Sequence, residues 1–246
     1  MRSASIVSSC VGGVRGRSGL YRPPEGEPVL RGASPTCDYS SMEKSKEKRK
    51  VILFDLGGVL IENTGRAALT ALLPDSSAST EIWHRWLASP VVRQFERGQI
   101  SAESFAAGFV KEWNIGLAPT DFIGEFAAWP KGLYEGAEAL LRALKTRHHL
   151  ACLSNTNTIH WGRLGHIHEL FDSCFLSHEM GHVKPDPEAF QHALDKLGVD
   201  PQDVYFFDDL APNVEAARKA GMRAFKVEDF SGIEPILRTE GLYQTE

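Results

Sequence analysis

The stretch "VILFDLGGVL", residues 51–60, sets an aspartate at the end of a short apolar run and follows it with two glycines. Such a run, rich in β-branched and aromatic residues, reads as a strand buried on both faces. Asp55 at its end reads as a nucleophile presented at the strand tip, yet the position two residues on, where a partnering acid would help, is Gly57.

Outward from this stretch the chain alternates between two patterns. The runs "HLACLSN", "CFLS", "VYFFDD" and "RAFKV" are short and apolar, and helical patterns lie between them: "EGAEALLRALKTR", "HWGRLGHIHELF", "PEAFQHALDKLG" and "APNVEAARKAG". Pro187 suits a first helical turn and Gly221 a C-terminal cap. Strands buried on both faces and joined by helices predict an α/β fold with a doubly wound parallel sheet, whose ligands bind at the carboxyl ends of the strands.

Residues 64–130 interrupt the alternation. They hold helical segments, "GRAALTALL", "TEIWHRWLAS", "SAESFAAGFVKEWN" and "TDFIGEFAAW", and no convincing strand, with Ser101 and Thr120 as helix starts. An all-helical insert directly after the first strand is placed to act as a lid over that strand's carboxyl end. Trp83, Trp86, Trp113 and Trp129 fall at helical spacing within it and read as its own small core instead of a stacking platform.

Composition narrows the function classes. The 246 residues carry a formal net charge of -5, with Lys and Arg dispersed among acids, which argues against nucleic acid as the main partner. No apolar run approaches the ~20 residues that cross a bilayer, so an integral membrane protein is not expected. The four cysteines have no metal or redox spacing, and Cys152 and Cys174 read as buried apolar residues of a reducing compartment, hence a cytoplasmic location. Residues 1–41 are rich in Ser, Gly, Arg and Pro and are expected to be disordered. They read either as an organellar transit peptide or, preferred because glycines interrupt any amphipathic helix, as sequence upstream of a true start at Met42. The run "EKSKEKRK" is then a solvated lead-in.

A doubly wound sheet brings several polar residues to one crevice: Asp55 after the first strand, Ser154 and Asn155 after "LACL", Lys184 in "GHVKPDPEAF", and Asp208 with Asp209 after "VYFF". Carboxylates alone repel a dianion, and a hard divalent cation removes that conflict. Read singly, Asp55 is an ordinary turn or cap residue; the ordered set is what points to chemistry. Asn155 either touches ligand or caps the loop that follows.

These residues resemble the four motifs of the haloacid dehalogenase superfamily, in order and at suitable distances: "FDLGGVL", "LSN", Lys184 before Pro185, and "FFDDLAPNVEAARKAGM". The resemblance implies a three-layer α/β/α core over residues 50–63 and 131–246 with a helical cap over residues 64–130. It implies that Asp55 takes up a phosphoryl group, that Mg²⁺ is held by Asp55, the Gly57 carbonyl and Asp209 with Asp208 beside them, and that Ser154, Asn155 and Gly58 meet the substrate. Lys184 would neutralise charge on nucleophile and phosphate, and Asn213 would support the metal residues. The wording "WLASPVVRQFERGQISAESF", "SNTNTIH" and "LSHEMGHVKPDPEAFQHAL" is similar to the branch that includes bacterial α-glucose-1-phosphate phosphatases. The expected substrate is a small phosphorylated metabolite, and the expected state a monomer or homodimer.

Superfamily phosphatases usually carry a second aspartate where Gly57 stands, and general acid–base help of that kind is worth ~10²–10⁴-fold. An anomeric hydroxyl leaves with less protonation than an ordinary alcohol, which favours a sugar 1-phosphate. A dehalogenase, which lacks the second acid and needs no metal, and a weak phosphate-binding or regulatory module are the other readings. His160, His178 and His182 fall near the crevice, but loop and helix-start positions explain them without a role in proton transfer; His166 and His168, two apart, make a poor metal pair.

Overall fold

In a computed structural model, residues 49–73 and 82–244 are described; residues 1–41 and Met42 lie outside them. Five strands form one parallel sheet in the order β5-β4-β1-β6-β7, where β1 is Val51–Phe54, β4 His149–Ser154, β5 Ser173–Leu176, β6 Val204–Asp208 and β7 Arg223–Lys226. The chain runs from β1 through β4 to β5 on one side, then returns to place β6 and β7 on the other. The reversal beside β1 is the switch point at which such sheets leave a crevice.

Alternation along the strands builds two cores. Ile52, Phe54, Leu150, Cys152, Tyr205 and Phe207 point to one face and pack under α6 (Ala137–Lys145) and α11 (Ile233–Thr239). Val51, Leu53, Ala151, Leu153, Val204 and Phe206 point to the other, against α9 (Pro187–Leu197) and α10 (Ala211–Lys219). All four residues of β1 are buried, which is why its sequence is apolar without alternation. Burial of each such side chain stabilises by ~1.5–3 kcal/mol, so the strand that carries Asp55 is among the most firmly held parts of the chain. The three-layer α/β/α core is as expected. Pro187 opens α9 and Gly221, at φ +89°, follows α10. Cys152 is fully buried and Cys174, its register partner on β5, half-buried; both are free thiols.

The helical insert consists of α1 (Gly65–Leu72), α2 (Ile82–Ala88), α3 (Pro90–Glu96), α4 (Ala102–Trp113) and α5 (Pro119–Ala127). Ser101 caps α4 by accepting the N–H of Ser104. The start expected at Thr120 is corrected: α5 begins at Pro119 with Ala118 as its cap residue, because a proline at the first turn sets the helical φ and needs no donor. Helix α3 was not singled out in the sequence; Ser89 caps it by accepting the N–H of Val92, and Pro90 begins it. Two short strands, β2 (Ile61–Asn63) and β3 (Pro130–Leu133), pair antiparallel where the insert leaves and rejoins the core. Thr64 closes the same junction, donating its N–H and its hydroxyl to the Trp129 carbonyl at 3.0 and 3.1 Å.

The insert has a separate aromatic core. Trp86, Phe95, Phe105, Phe109, Trp113, Phe122, Phe126 and Trp129 are all buried there, with Phe95 and Phe105 stacked at 4.2 Å. Two of its contacts with the α/β core carry an ion pair or a ring stack. Arg93 of α3 and Arg97, the residue that follows the helix, both pair with Asp186, Arg97 at 2.7 Å. Phe126 of α5 stacks on His160 of α7 (Thr158–Arg163) at 4.1 Å, and the His160 ring bonds the Phe126 carbonyl through Nε2 at 2.8 Å.

Candidate active site

Register places the candidate residues. Phe54 lies beside Cys152 of β4 and Phe207 of β6, so the residues that follow these strands emerge together. Asp55 extends the ladder by one bond, its N–H donating to the Phe207 carbonyl at 2.9 Å. A cavity of about 270 Å³ opens there, with Asp55, Gly57, Gly58, Asn155, Lys184, Asp209 and Asn213 on its core side and Trp83, Trp86, Leu87, Glu96 and Trp129 on its helical side.

Lys184 is the centre of the charge arrangement. Its ammonium is 1% exposed and donates to Asp55 Oδ1 at 2.8 Å and to Asp208 Oδ2 at 2.6 Å. Burial alone would lower the Lys184 pKa, but Asp208 and Asp55 together hold it above the usual lysine range. One cation therefore faces the carboxylates of Asp55, Asp208 and Asp209, whose oxygens lie within 4.8 Å of one another. Burial pushes Asp55 up to about 6; Lys184 opposes that shift and the Asp208 charge adds to it. Asp209 is pushed up to about 8 by burial and then by repulsion from Asp55 and Asp208. Two carboxyls whose pKa values are raised by desolvation and like charge mark a site short of positive charge.

That shortage is the test for the Mg²⁺ the resemblance implies. Asp209 has no ion pair and accepts no side-chain hydrogen bond among the described residues; beyond a backbone N–H of its own turn it has no partner, and it lines the cavity beside Asp55. Oxygen donors of this hardness fit a divalent cation. Asp55, Asp209 and the carbonyl of Gly57, which also lines the cavity, are the residues that would hold it.

Asp208 is a correction. It is fully buried, does not line the cavity, and both its oxygens are engaged: Oδ1 by the Leu210 N–H at 2.8 Å and the Asn213 amide at 3.0 Å, Oδ2 by Lys184. Its proximity to the other carboxylates fits a metal ligand, but occupied lone pairs decide otherwise. It positions Lys184 and Asn213.

Asn155 is a second correction. Its amide nitrogen donates to the Lys184 carbonyl at 2.9 Å and its oxygen accepts the Lys184 N–H at 2.8 Å, so both ends are used to hold the lysine loop against β4. A clamp on the lysine loop is neither of the two expected roles, contact with ligand or a cap on the loop that follows. Ser154 ends β4 and is buried, one residue short of those that line the cavity. Gly58 lines it, but its N–H already donates to the Ile61 carbonyl at 2.8 Å. What requires glycine there is its φ of +85° and a Cβ position only 3.0 Å from Asp209 Oδ2.

Asn63, Asn157 and Glu96 are among the cavity residues that went unrecognised in the sequence. Asn63 stands where a side chain at position 57 would go: a Cβ on Gly57 would lie 3.0 Å from its Nδ2, while its Oδ1 accepts the Gly65 N–H at 2.8 Å. Asn157 caps α7 and lines the cavity beside His160. Glu96, last residue of α3, is 7% exposed and lines the cavity from the helical side. The expectation for the tryptophans is corrected in part: Trp113 belongs to the insert's core alone, whereas Trp83, Trp86 and Trp129 also face the cavity. His160 lines it too, while His178 and His182 do not. No helix among the described residues is long and apolar enough to cross a membrane.

Comparison with known proteins agrees with this geometry. Phosphatase MT3486 of Mycobacterium tuberculosis is 31% identical over 153 residues, which are 59% of this chain and 70% of that protein. D-ribitol-5-phosphate phosphatase of Bacteroides thetaiotaomicron is 25% identical over 199 residues, 73% of this chain and 92% of that one. A haloacid dehalogenase family enzyme of the same bacterium, solved in complex with magnesium and inorganic phosphate, superposes with a TM-score of 0.62 at 23% identity over 77% of this chain and all of that one, a likeness of fold. The family described as haloacid dehalogenase-like hydrolase matches residues 49–221. With its parallel sheet, its switch-point crevice and its strand-end carboxylates in place, the chain belongs to the haloacid dehalogenase-like hydrolases.

Proposed function

We propose that the protein is a Mg²⁺-dependent phosphomonoester hydrolase that acts on a small phosphorylated metabolite through an aspartyl phosphate at Asp55. The observation that carries this reading is the unpaired Asp209 carboxylate beside an Asp55 that Lys184 already holds in place. A dehalogenase has no use for that surplus negative charge; a site that takes a dication and a phosphate dianion does. The names of the curated relatives, a phosphatase and a ribitol phosphate phosphatase, support the same class.

Asp55 Oδ attacks phosphorus while Lys184 neutralises charge on the attacking carboxylate and on the phosphoryl oxygens. Asp208 and Asn155 keep the lysine in reach, one through its ammonium and the other through its backbone. Bound Mg²⁺ supplies charge compensation for the dianion and for the transferring phosphoryl group. The rest of the substrate lies against Trp83, Trp86 and Trp129 with Arg66, Asn63 and Asn157 at the cavity wall, a mixed surface suited to a polyol or sugar. Residues 64–130 act as the cap that covers it. A sugar 1-phosphate is the first compound to try.

The test is phosphate release from a panel of phosphomonoesters with and without Mg²⁺. Release that depends on Mg²⁺ and disappears in Asp55→Asn, which cannot form the acyl phosphate, is expected. Metal-independent release, or activity retained by Asp55→Asn, overturns the reading.

A further inference from the structure

We propose that Glu96, carried by helix α3 of the insert, is the catalytic proton donor and acceptor of this site, in place of the carboxylate that position 57 lacks. This rests on the reading of the protein as a phosphomonoester hydrolase.

The geometry comes from opposite walls of one cavity. Asp55 lines the core side and Glu96 the helical side, and about 270 Å³ holds little more than one small metabolite, so an ester that fills it lies against both. Trp86 Nε1 donates to Glu96 Oε1 at 3.1 Å, which anchors one carboxyl oxygen, while Oε2 accepts no hydrogen bond among the described residues. Glu96 also has no ion pair there. The neighbouring arginines, Arg93 of the same helix and Arg97 just after it, are both turned to Asp186. A nearly buried carboxyl, hydrogen-bonded on one side, unpaired on the other and without a counter-ion, is built to carry a proton.

The other ionisable groups around the cavity do not fill the role. His160 is held neutral, its pKa pushed down to about 4 by burial, and its Nε2 is bonded to the Phe126 carbonyl. Glu228 is exposed and paired with Lys226. Asp209 is reserved for the cation, and the Tyr134 hydroxyl is pushed above its ordinary range by burial and by Asp229. Glu96 is pushed up to about 7 by burial; the Trp86 bond and the charges of Arg93 and Lys184 oppose that shift, and Asp55 adds to it. Around neutral pH it therefore exists in both forms, which a group that alternates between acid and base requires.

The balance is as follows. Asp55 forms a bond to phosphorus and the bond from phosphorus to the ester oxygen breaks with its electron pair on oxygen. The proton of Glu96 passes to that oxygen, the alcohol departs, and Glu96 is left as carboxylate. Water then enters the vacated side, on which Glu96 sits. Its oxygen bonds to phosphorus, the bond from phosphorus to Asp55 breaks, one water proton returns to Glu96, and phosphate leaves. With this group present the site does not require an acidic leaving hydroxyl.

Glu96→Gln keeps an oxygen for Trp86 and removes only the exchangeable proton. With glycerol 1-phosphate as substrate, kcat/KM is expected to fall ~10²–10⁴-fold. With p-nitrophenyl phosphate, whose leaving group departs unprotonated, the first turnover is retained as a burst of nitrophenol, and acid quenching traps phosphorylated Asp55 because hydrolysis has lost its base. Glu96→Asp, which keeps a carboxyl one methylene shorter, should recover part of the loss. In the wild-type enzyme kcat/KM for the glycerol ester should decline as pH rises through about 7, and that limb should be missing for the nitrophenyl ester. Equal losses on both esters without a burst, or no loss on either, overturn the proposal, as does an identical pH limb for both esters in the wild type. A wild type that releases phosphate from neither ester instead refutes the phosphatase reading beneath it.

Discussion

The two walls of the cavity are built by different physics. The core side is a cluster of charge at the ends of three adjacent strands, where one ammonium meets three carboxylates and the backbone is locked by sheet register. The helical side is a packed set of aromatic rings that turns a few polar atoms, Glu96 among them, toward that cluster. On the first wall a side chain is placed by hydrogen bonds it shares with its neighbours, so loss of one leaves others buried and unpaired. On the second, placement comes from the fit of a helix, and single polar losses leave the packing in place.

Lys184→Met breaks the contrast at its strongest point. Removal of the Lys184 ammonium leaves the carboxylates of Asp55 and Asp208 buried without their shared partner, and loss of one partner from a buried pair costs ~3–5 kcal/mol. Urea unfolding at neutral pH should show that loss, and saturating Mg²⁺ should return part of it by supplying charge at the same carboxylates. A variant as stable as the wild type would show that the core-side charges do not constrain one another.

The second prediction concerns the same kind of group on the other wall. A carboxyl whose folded pKa is about 7 against an ordinary 4.5 binds its proton more tightly when folded. Its stabilisation is fully present below about 4.5 and is lost as pH rises through about 7. Metal-free Glu96→Gln should therefore exceed the wild type in stability above that range, by up to ~3 kcal/mol at 1.4 kcal/mol per pH unit, with the gap closing as pH falls toward the ordinary carboxylate range. Melting temperatures of both proteins across pH measure this. A gap that does not change with pH would mean that Glu96 is ionised in the folded protein as readily as in water.

The smallest effect is expected where the walls meet. Asp186→Asn removes the partner of Arg93 and Arg97, a junction about one quarter exposed and thus partly screened, so the stability change should stay below ~1 kcal/mol. KM for the best ester should nevertheless rise more than kcat falls, because the acidic link that seats α3 over the cavity is gone. An unchanged KM would show that other contacts, the Phe126 and His160 stack among them, suffice to seat the insert.

The same contrast explains what was legible in the amino-acid sequence and what was not. Apolar runs, helical periods and the residues at strand ends are local signals, and a parallel sheet converts them into one place by register; Asp55, Lys184, Asp208 and Asp209 could therefore be found in order along the chain. Their division of labour could not. Asp208 and Asp209 are adjacent and chemically identical, and only the fold shows that one is enclosed by Lys184, Leu210 and Asn213 while the other is left facing the cavity. Asn155 likewise turns out to clamp the lysine loop, because its partner lies 29 residues away. Gly57 announced a missing acid, but a lone glutamate in "FERGQIS" carries no mark of burial, and what surrounds it comes from Trp86 on another helix and from strands on the far side of the insert. Periodicity and strand-end chemistry are properties of consecutive residues and are written in the chain; desolvation, counter-ion loss and the pairing of two walls depend on which distant surfaces pack together, and only the tertiary structure decides that.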